Sequence, residues 1–131
     1  MRPNFLLALI LATLCLAAGA PAADAPAGAS GHRFVFLIDA SSMMEPSRKA
    51  TEQAVEELIA SGASGQMQAG DEFVLWPYRL KVVNDDFPPT RWSPTNAVAL
   101  AKSSGDFLRG LKYEGAGLFY VALVEAFRVI K

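Results

Sequence analysis

Residues 33–43 read R-F-V-F-L-I-D-A-S-S-M, and this stretch decides the fold. Residues 33–39 form a continuous run rich in aromatic and β-branched side chains, without polar alternation. Runs of this kind are typical of strands buried on both faces, usually in a parallel sheet. The sequence therefore predicts a parallel strand that ends at Asp39.

A helix and a second strand are predicted next. Ser47 is a plausible N-cap, Gly62 is the expected stop, and the apolar face is predicted to consist of Ala50, Ala54, Val55, Leu58 and Ile59. Residues 72–76 (E-F-V-L-W) predict the second strand, closed by Pro77. Alternation of strand and helix is the pattern of α/β proteins.

The second half of the chain adds a weaker strand and two helices. Residues 80–87 predict a polar edge strand ended by two prolines. Ser93 and Pro94 predict the N-cap and first residue of a helix. Residues 118–130 are apolar almost all round, which favours a covered helix and leaves a strand as the alternative.

The N-terminus is predicted to be an export signal, residues 1–23. Arg2 supplies the positive start, residues 5–18 are apolar, and small residues follow. This stretch is shorter than the roughly 20 residues of a membrane-spanning helix. We expect an exported protein, secreted or periplasmic, with an uncleaved N-terminal membrane anchor as the alternative. Residues 24–32 predict a flexible linker, and cleavage would remove the single cysteine, Cys15.

Length and charge exclude several classes of protein. The chain has 131 residues, enough for one domain, here residues 33–131. It has 12 basic and 13 acidic residues, so no basic excess suggests nucleic acid as a partner. Its composition is 52% hydrophobic and 19% charged, which is too apolar for a disordered chain.

Candidate site residues follow the first strand directly. Asp39, Ser41 and Ser42 place a carboxylate and two hydroxyls at a strand's carboxyl end, where open α/β sheets bind ligands. Oxygen ligands of this kind suit Mg²⁺. The alternative is that Asp39 and Ser41 brace the turn by bonding backbone N–H groups.

At these residues the chain resembles a von Willebrand factor type A (VWA) domain. In that family the first strand ends in Asp-x-Ser-x-Ser, the metal-ion-dependent adhesion site. The resemblance covers residues 34–131 and includes G-D-E-F-V-L-W at residues 70–76 and G-A-G-L-F-Y-V-A-L at residues 115–123. It implies a doubly wound (Rossmann-like), mostly parallel sheet with helices on both faces.

The resemblance implies a degenerate site for Mg²⁺ or Mn²⁺. Asp39 and Ser41 match the first two ligand positions, but Met43 takes the third, and a thioether does not suit a hard cation. Gly117 stands where the family has a threonine ligand. Ser42 is a weak substitute that would need a register shift. A protein partner's acidic side chain would complete the shell.

The resemblance also implies a domain that is incomplete at its C-terminus. The family has six strands in the order 3-2-1-4-5-6, and Lys131 precedes any fourth strand. The first strand would then form an uncovered apolar edge. A fragment, a truncated gene, or a partner that supplies the missing strands would each account for this.

Enzyme chemistry is expected to be absent. A phosphoryl-accepting Asp39 of the haloacid-dehalogenase kind would need a second aspartate at Ser41. A serine hydrolase would need a base, and the only histidine, His32, precedes the first strand at the opposite end of the sheet. We expect an exported, non-enzymatic, adhesion-type protein-binding module. The alternatives are a truncated structural remnant lacking a ligand and, after it, a phosphotransferase-type enzyme that uses Asp39.

Overall fold

Three strands form one mixed sheet in the computed structural model, which describes residues 31–129. The strands are β1 (Arg33–Asp39), β2 (Glu72–Tyr78) and β3 (Thr90–Arg91), in the order β1-β2-β3. β1 and β2 are parallel over their full length, with Arg33 opposite Glu72 and Asp39 opposite Tyr78. β3 pairs antiparallel with the start of β2. The predicted parallel strand at residues 33–39 is confirmed.

The predicted edge strand at residues 80–87 was wrong. Only Val82 makes a bridge, to Tyr78, because the chain turns back at once after β2. The Val83 N–H donates to the Pro77 carbonyl at 2.8 Å, which closes this turn. Phe87 leaves the surface and packs against Phe73 in the core, with ring centroids 5.7 Å apart.

Pro77 was predicted to close the second strand, but β2 continues through it to Tyr78. The Glu72 N–H and the Tyr78 carbonyl bond to β1 or its flanking residues, so the even-numbered residues of β2 face β1. Pro77 is odd-numbered, so its missing N–H would point away from β1, toward the side of β2 on which β3 lies. β3 does not extend as far as Pro77. The strand therefore loses no ladder bond at this proline.

The other regular elements of the described chain are helices. A 3-10 helix (Ser42–Ser47) leads into α1 (Arg48–Ala60), and α2 (Gly62–Gly65) is a single distorted turn. The later helices are α3 (Ala97–Arg109) and α4 (Phe119–Val129). The predicted helical start at Ser93–Pro94 was wrong, because the N-cap residue of α3 is Asn96. Its side chain makes no bond to the helix, and its Oδ1 instead accepts the Ser93 N–H of the preceding turn at 2.8 Å.

The larger core lies between the sheet and the helices α1 and α3. β1 contributes Phe34, Phe36 and Ile38, its even-numbered side chains. Their buried partners from the other elements are Val55, Ile59, Met67, Phe73, Leu75, Phe87, Trp92, Ala97, Ala101 and Leu108.

Gly62 allows α1 to end against this core. Its φ is +60°, a left-handed conformation that glycine adopts without strain. A Cβ there would lie 2.6 Å from the Trp92 ring. The Trp92 indole N–H donates to the Ile59 carbonyl at 2.8 Å, so the end of α1 and this tryptophan hold each other in place.

A smaller core lies on the opposite face of the sheet, beneath α4. It contains Val74, Trp76 and Ala126, with Val35, Leu37 and Val82 packed around them. The helix predicted at residues 118–130 is present as α4, but it is covered on its inner side alone, and its outer surface is strongly apolar. Its exposed large hydrophobic residues are Phe119, Tyr120, Leu123, Val124, Phe127 and Val129.

The chain is therefore a mixed α/β protein with a small sheet and helices on both faces. Residues 1–23, the predicted signal, lie outside the described residues, as does most of the predicted linker. Among the described residues, no helix has the length and apolar character needed to span a membrane.

Candidate functional site

Asp39 ends β1 and braces the turn that follows it. Its Oδ1 accepts the Ser41 N–H at 2.9 Å, and Ser41 itself is only 2% exposed. This is the arrangement in which an aspartate stabilises a turn by bonding the backbone two residues ahead. The alternative prediction, that Asp39 braces the turn by bonding a backbone N–H, is confirmed.

The segment before α4 comes down onto this turn. The N–H and the Oγ of Ser42 both donate to the Gly115 carbonyl, each at 3.0 Å. The Glu114 N–H donates to the Ala40 carbonyl at 3.1 Å. Two loops that are about 70 residues apart in sequence are thus joined by hydrogen bonds at the carboxyl end of the sheet.

Gly117 lies directly against the Asp39 carboxylate. A Cβ on Gly117 would lie 2.7 Å from Oδ1 and 3.0 Å from Oδ2. The structure therefore brings together the two positions that the sequence comparison singled out. A threonine could not occupy position 117 unless the carboxylate or the loop moved.

Tyr78 is the third group around this carboxylate. It is buried, and burial raises the pKa of its hydroxyl, with further raising by the negative charge of Asp39 and the hydrogen bond to it. The neutral, proton-donating form of Tyr78 is thereby favoured at neutral pH. Tyr78 therefore places a neutral hydroxyl, and not a second negative charge, near Asp39.

The donor set does not fit a divalent cation well. Ser42 Oγ is engaged with Gly115, Met43 is 87% exposed, and Gly117 has no side chain. Asp39 and Ser41 are what remains, and Mg²⁺ needs near-octahedral oxygen coordination. Within residues 31–129 no three acidic, histidine or cysteine side chains form a cluster that could hold a metal ion.

His32 lies at the far end of the sheet from these residues. It precedes β1, and its backbone N–H donates to Asp71 Oδ1 at 2.8 Å. The seven residues of β1 separate it from Ser41 by more than about 20 Å. The structure does not bring His32 together with either serine.

A cleft that was not predicted from the sequence lies beside the site. It has a volume of about 250 Å³ and is lined by Arg79, Leu80, Lys81, Val83, Glu114 and Gly115. Leu80 is 63% exposed, and the Arg79 guanidinium pairs with the Glu114 carboxylate. The Leu118 N–H donates to the Arg79 carbonyl at 2.9 Å, so the cleft walls are tied together.

A sequence signal for this cleft existed. Leu80 stands between Arg79 and Lys81, two residues after Tyr78. An isolated apolar residue between two cations is unfavourable in a buried strand, and it is better suited to a loop surface. The interpretation as an edge strand hid this signal.

A second cleft, of about 270 Å³, lies on the other side of the same loop. It is lined by Lys81, Val82, Asn84, Tyr120, Val121, Val124 and Glu125. The loop after β2 therefore separates the carboxyl-end cleft from one flank of α4.

The comparisons with known proteins add no relative. The sequence matches no protein-family model and has no significant match among curated proteins. The resemblance to VWA domains therefore remains a prediction drawn from the residues themselves.

Proposed function

We propose that this chain is an exported, non-enzymatic protein-binding module of VWA-like, doubly wound architecture, and that it contacts its partner through the loops at the carboxyl end of the sheet. The observation that carries the proposal is a pair of exposed apolar side chains there. Met43 follows β1 and is 87% exposed, and Leu80 follows β2 and is 63% exposed. Large side chains held out on anchored loops favour contact with another protein.

The loops are well anchored for this purpose. Gly115 accepts two hydrogen bonds from Ser42, and Arg79 accepts one from Leu118. A binding surface that is ordered before contact loses less conformational entropy on association. These bonds support a preformed surface, formed by the loops after β1 and β2 and the loop before α4.

The charges of the surface support a protein partner over a nucleic acid. Arg79 is paired with Glu114, which leaves Lys81 as the cation beside the cleft. Nucleic-acid binding depends on neutralising several phosphates. One paired and one further cation beside Leu80 suit a partner with an apolar side chain and a neighbouring acidic group.

The proposed contact does not depend on a metal ion. Asp39 Oδ1 accepts the Ser41 N–H, and Gly117 closely approaches the carboxylate, so the role of Asp39 is that of a turn brace. Thermal unfolding with and without millimolar Mg²⁺ or Mn²⁺ tests this point. We expect no shift, whereas a rise in melting temperature that Asp39→Ala abolishes would show a working adhesion site.

Site-specific photo-crosslinking in the natural host tests the binding function. A benzophenone amino acid replaces Leu80 in the full chain, and the matched control replaces Val98, which is 79% exposed on α3. We expect a discrete protein adduct from position 80 and none from position 98. Equal labelling at both positions, or none, would favour the alternative of a remnant without a ligand.

Export is tested by cell fractionation and mass spectrometry of the same full chain. We expect it outside the cytoplasm with residues 1–23 removed. Retention of these residues in a membrane fraction would indicate the N-terminal anchor instead.

A further inference from the structure

The cleft between the loop after β2 and α4 is lined by both polar and apolar side chains. Two of the polar ones have opposite charges, Lys81 on the loop and Glu125 on the helix. The volume of about 270 Å³ lies just below the roughly 300–1,000 Å³ that is usual for sites of drug-sized ligands. A ligand that fits this cleft is therefore a small molecule.

The loop wall of the cleft is fixed by its backbone. The Arg79 N–H donates to the Lys81 carbonyl at 3.1 Å, and the Val83 N–H donates to the Pro77 carbonyl at 2.8 Å. Val82 packs against the smaller core beneath α4. Because the turn is closed and attached to the core, the side chain of Lys81 starts from a fixed position at the cleft.

The helix wall is fixed by the small residues that α4 turns toward the sheet. Ala122 and Ala126 are 0% and 6% exposed, so the helix packs closely there. Glu125 lies between them in sequence, and its side chain is only 27% exposed. The charge of a carboxylate that is largely covered is screened less by water than that of a fully exposed one.

These two opposite charges do not pair with each other. Across residues 31–129, Lys81 takes part in no ion pair, and Glu125 has one, to Arg128 at 3.5 Å. The Arg128 side chain is 78% exposed, and ion pairs with exposed partners are weak. The cleft thus has a positive charge on one wall and a negative charge on the other.

We propose that this cleft binds a free α-amino acid with an aliphatic side chain. The ligand carboxylate pairs with Lys81, and the ligand ammonium group pairs with Glu125. The aliphatic side chain of the ligand lies on the valines that line the cleft, Val82, Val121 and Val124. A small zwitterion with an alkyl group matches both charges and the apolar lining at once.

The polar lining favours this ligand over the end of a peptide. Asn84 also lines the cleft, and its amide N–H groups can donate to the carboxylate that Lys81 binds. A peptide N-terminus has the ammonium group without the carboxylate, and a C-terminus has the carboxylate without the ammonium group. Either would leave one of the two charged walls without a partner.

An NMR titration of the isotope-labelled chain with L-leucine tests the site. We expect saturable shifts of the backbone amide signals of residues 81–84 and 120–125, which form the two walls. The amide signals of α1 and α3 should stay where they are, because these helices lie on the other face of the sheet.

Analogues that lack one charge identify the two ends of the ligand. N-acetyl-L-leucine keeps the carboxylate, and L-leucinamide keeps the ammonium group. We expect each to bind about fivefold more weakly than L-leucine, the upper end of what an exposed ion pair contributes.

Two variants assign each charge of the ligand to a wall. Lys81→Gln should weaken the binding of L-leucine and N-acetyl-L-leucine and leave that of L-leucinamide unchanged. Glu125→Gln should weaken L-leucine and L-leucinamide and leave N-acetyl-L-leucine unchanged. The matched controls, Lys102→Gln on α3 and Glu57→Gln on α1, are both exposed and should change the binding of none of the three.

Three results would overturn the proposal. One is the absence of saturable shifts up to about 50 mM L-leucine. Another is an analogue that binds as tightly as L-leucine, which would assign the cleft to a peptide end. The third is equal weakening of all three ligands by Lys81→Gln or Glu125→Gln. The analogues keep the test valid if a variant fails to fold, which its own spectrum shows. The protein contact at Leu80 is tested separately by crosslinking, so either proposal can fail alone.

Discussion

The two faces of the sheet differ sharply in how their helices are used. On one face, α1 and α3 cover a core that includes Phe73, Leu75 and Leu108, each 0% exposed. On the other face, α4 buries little more than Ala122 and Ala126 and exposes most of its large side chains. We call the side of the sheet covered by α1 and α3 the closed face. We call the other side, where the covering helix α4 exposes its own apolar side chains, the open face.

This difference shows which part of the molecule maintains the fold and which part is available for contacts. Helices that cover a core normally present polar side chains to water. α1 does so, whereas the exposed surface of α4 is a row of aromatic and aliphatic residues. We infer that stability depends mainly on the α1–α3 face.

The largest expected effect is on the closed face. Phe73→Ala removes a fully buried ring that packs against Phe36 and Phe87. We expect a loss of about 3–5 kcal/mol in the free energy of unfolding, measured by urea denaturation. A loss below about 1 kcal/mol would contradict the assignment of the main core to this face.

Gly62→Ala tests the packing at the edge of the same core, on the closed face. The new Cβ would have φ +60° and would meet the Trp92 ring at 2.6 Å. We expect a loss of about 2–4 kcal/mol from backbone strain and overpacking together. Gly65→Ala is the control, because φ is +84° there and no atom lies within 4 Å. It should cost only about 1–2 kcal/mol.

Asp71 joins the segments that lead into β1 and β2, the two strands common to both faces of the sheet. It is 3% exposed and accepts the Gln68 and His32 N–H groups, each at 2.8 Å. Asp71→Asn should lower the free energy of unfolding by about 1–3 kcal/mol at neutral pH, since one of these donors would face an amide NH₂.

The same carboxylate predicts a loss of stability in acid. The Gln68 N–H above all, and the His32 backbone and ring as well, lower the pKa of Asp71 despite its burial. Its stabilising effect is therefore complete above the unfolded-state pKa of about 4 and is lost as the pH falls through the lower folded-state value. Urea denaturation between pH 2 and pH 7 should show a flatter profile for Asp71→Asn than for the natural sequence. Equal slopes would contradict this role.

The smallest effect is expected on the open face. Tyr120 is 72% exposed on α4. Tyr120→Ser should change the free energy of unfolding by no more than about 0.5 kcal/mol. A larger loss in thermal unfolding would show that the outer surface of α4 already packs against something within the chain, and the contrast between the faces would fail.

Much of the fold could be predicted because local signals and tertiary packing agree. The apolar run of β1 and the helical pattern of α1 predict a parallel strand and a helix that packs on it. The predicted apolar face of α1 was right at Val55 and Ile59 and wrong at Ala50 and Ala54, which are exposed. The strand predicted at residues 80–87 was wrong. The alternation of these residues resembles that of a strand, but the turn closed by the bond between Val83 and Pro77 takes them off the sheet. Tertiary contacts overrode the local pattern there.

The candidate site could be predicted only in part. Asp39 and Ser41 follow from their place at a strand end, and Gly117, which only the family resemblance singled out, lies against Asp39 in the structure. The cleft at Leu80 depends on a turn between elements, which no periodicity in the sequence encodes. The partner cannot be read from the residues, since a fold supplies a scaffold and not a ligand.

Trp76 and Trp92 are the two tryptophans of the chain, and they lie in different cores. Trp76 packs beneath α4, and Trp92 packs against the end of α1, with 5% and 6% exposure. Each indole is therefore an intrinsic fluorescent reporter for one face. With Trp76→Phe and Trp92→Phe as single-emitter variants, red shifts at different denaturant concentrations would reveal that the open face detaches first, as a separate step of unfolding.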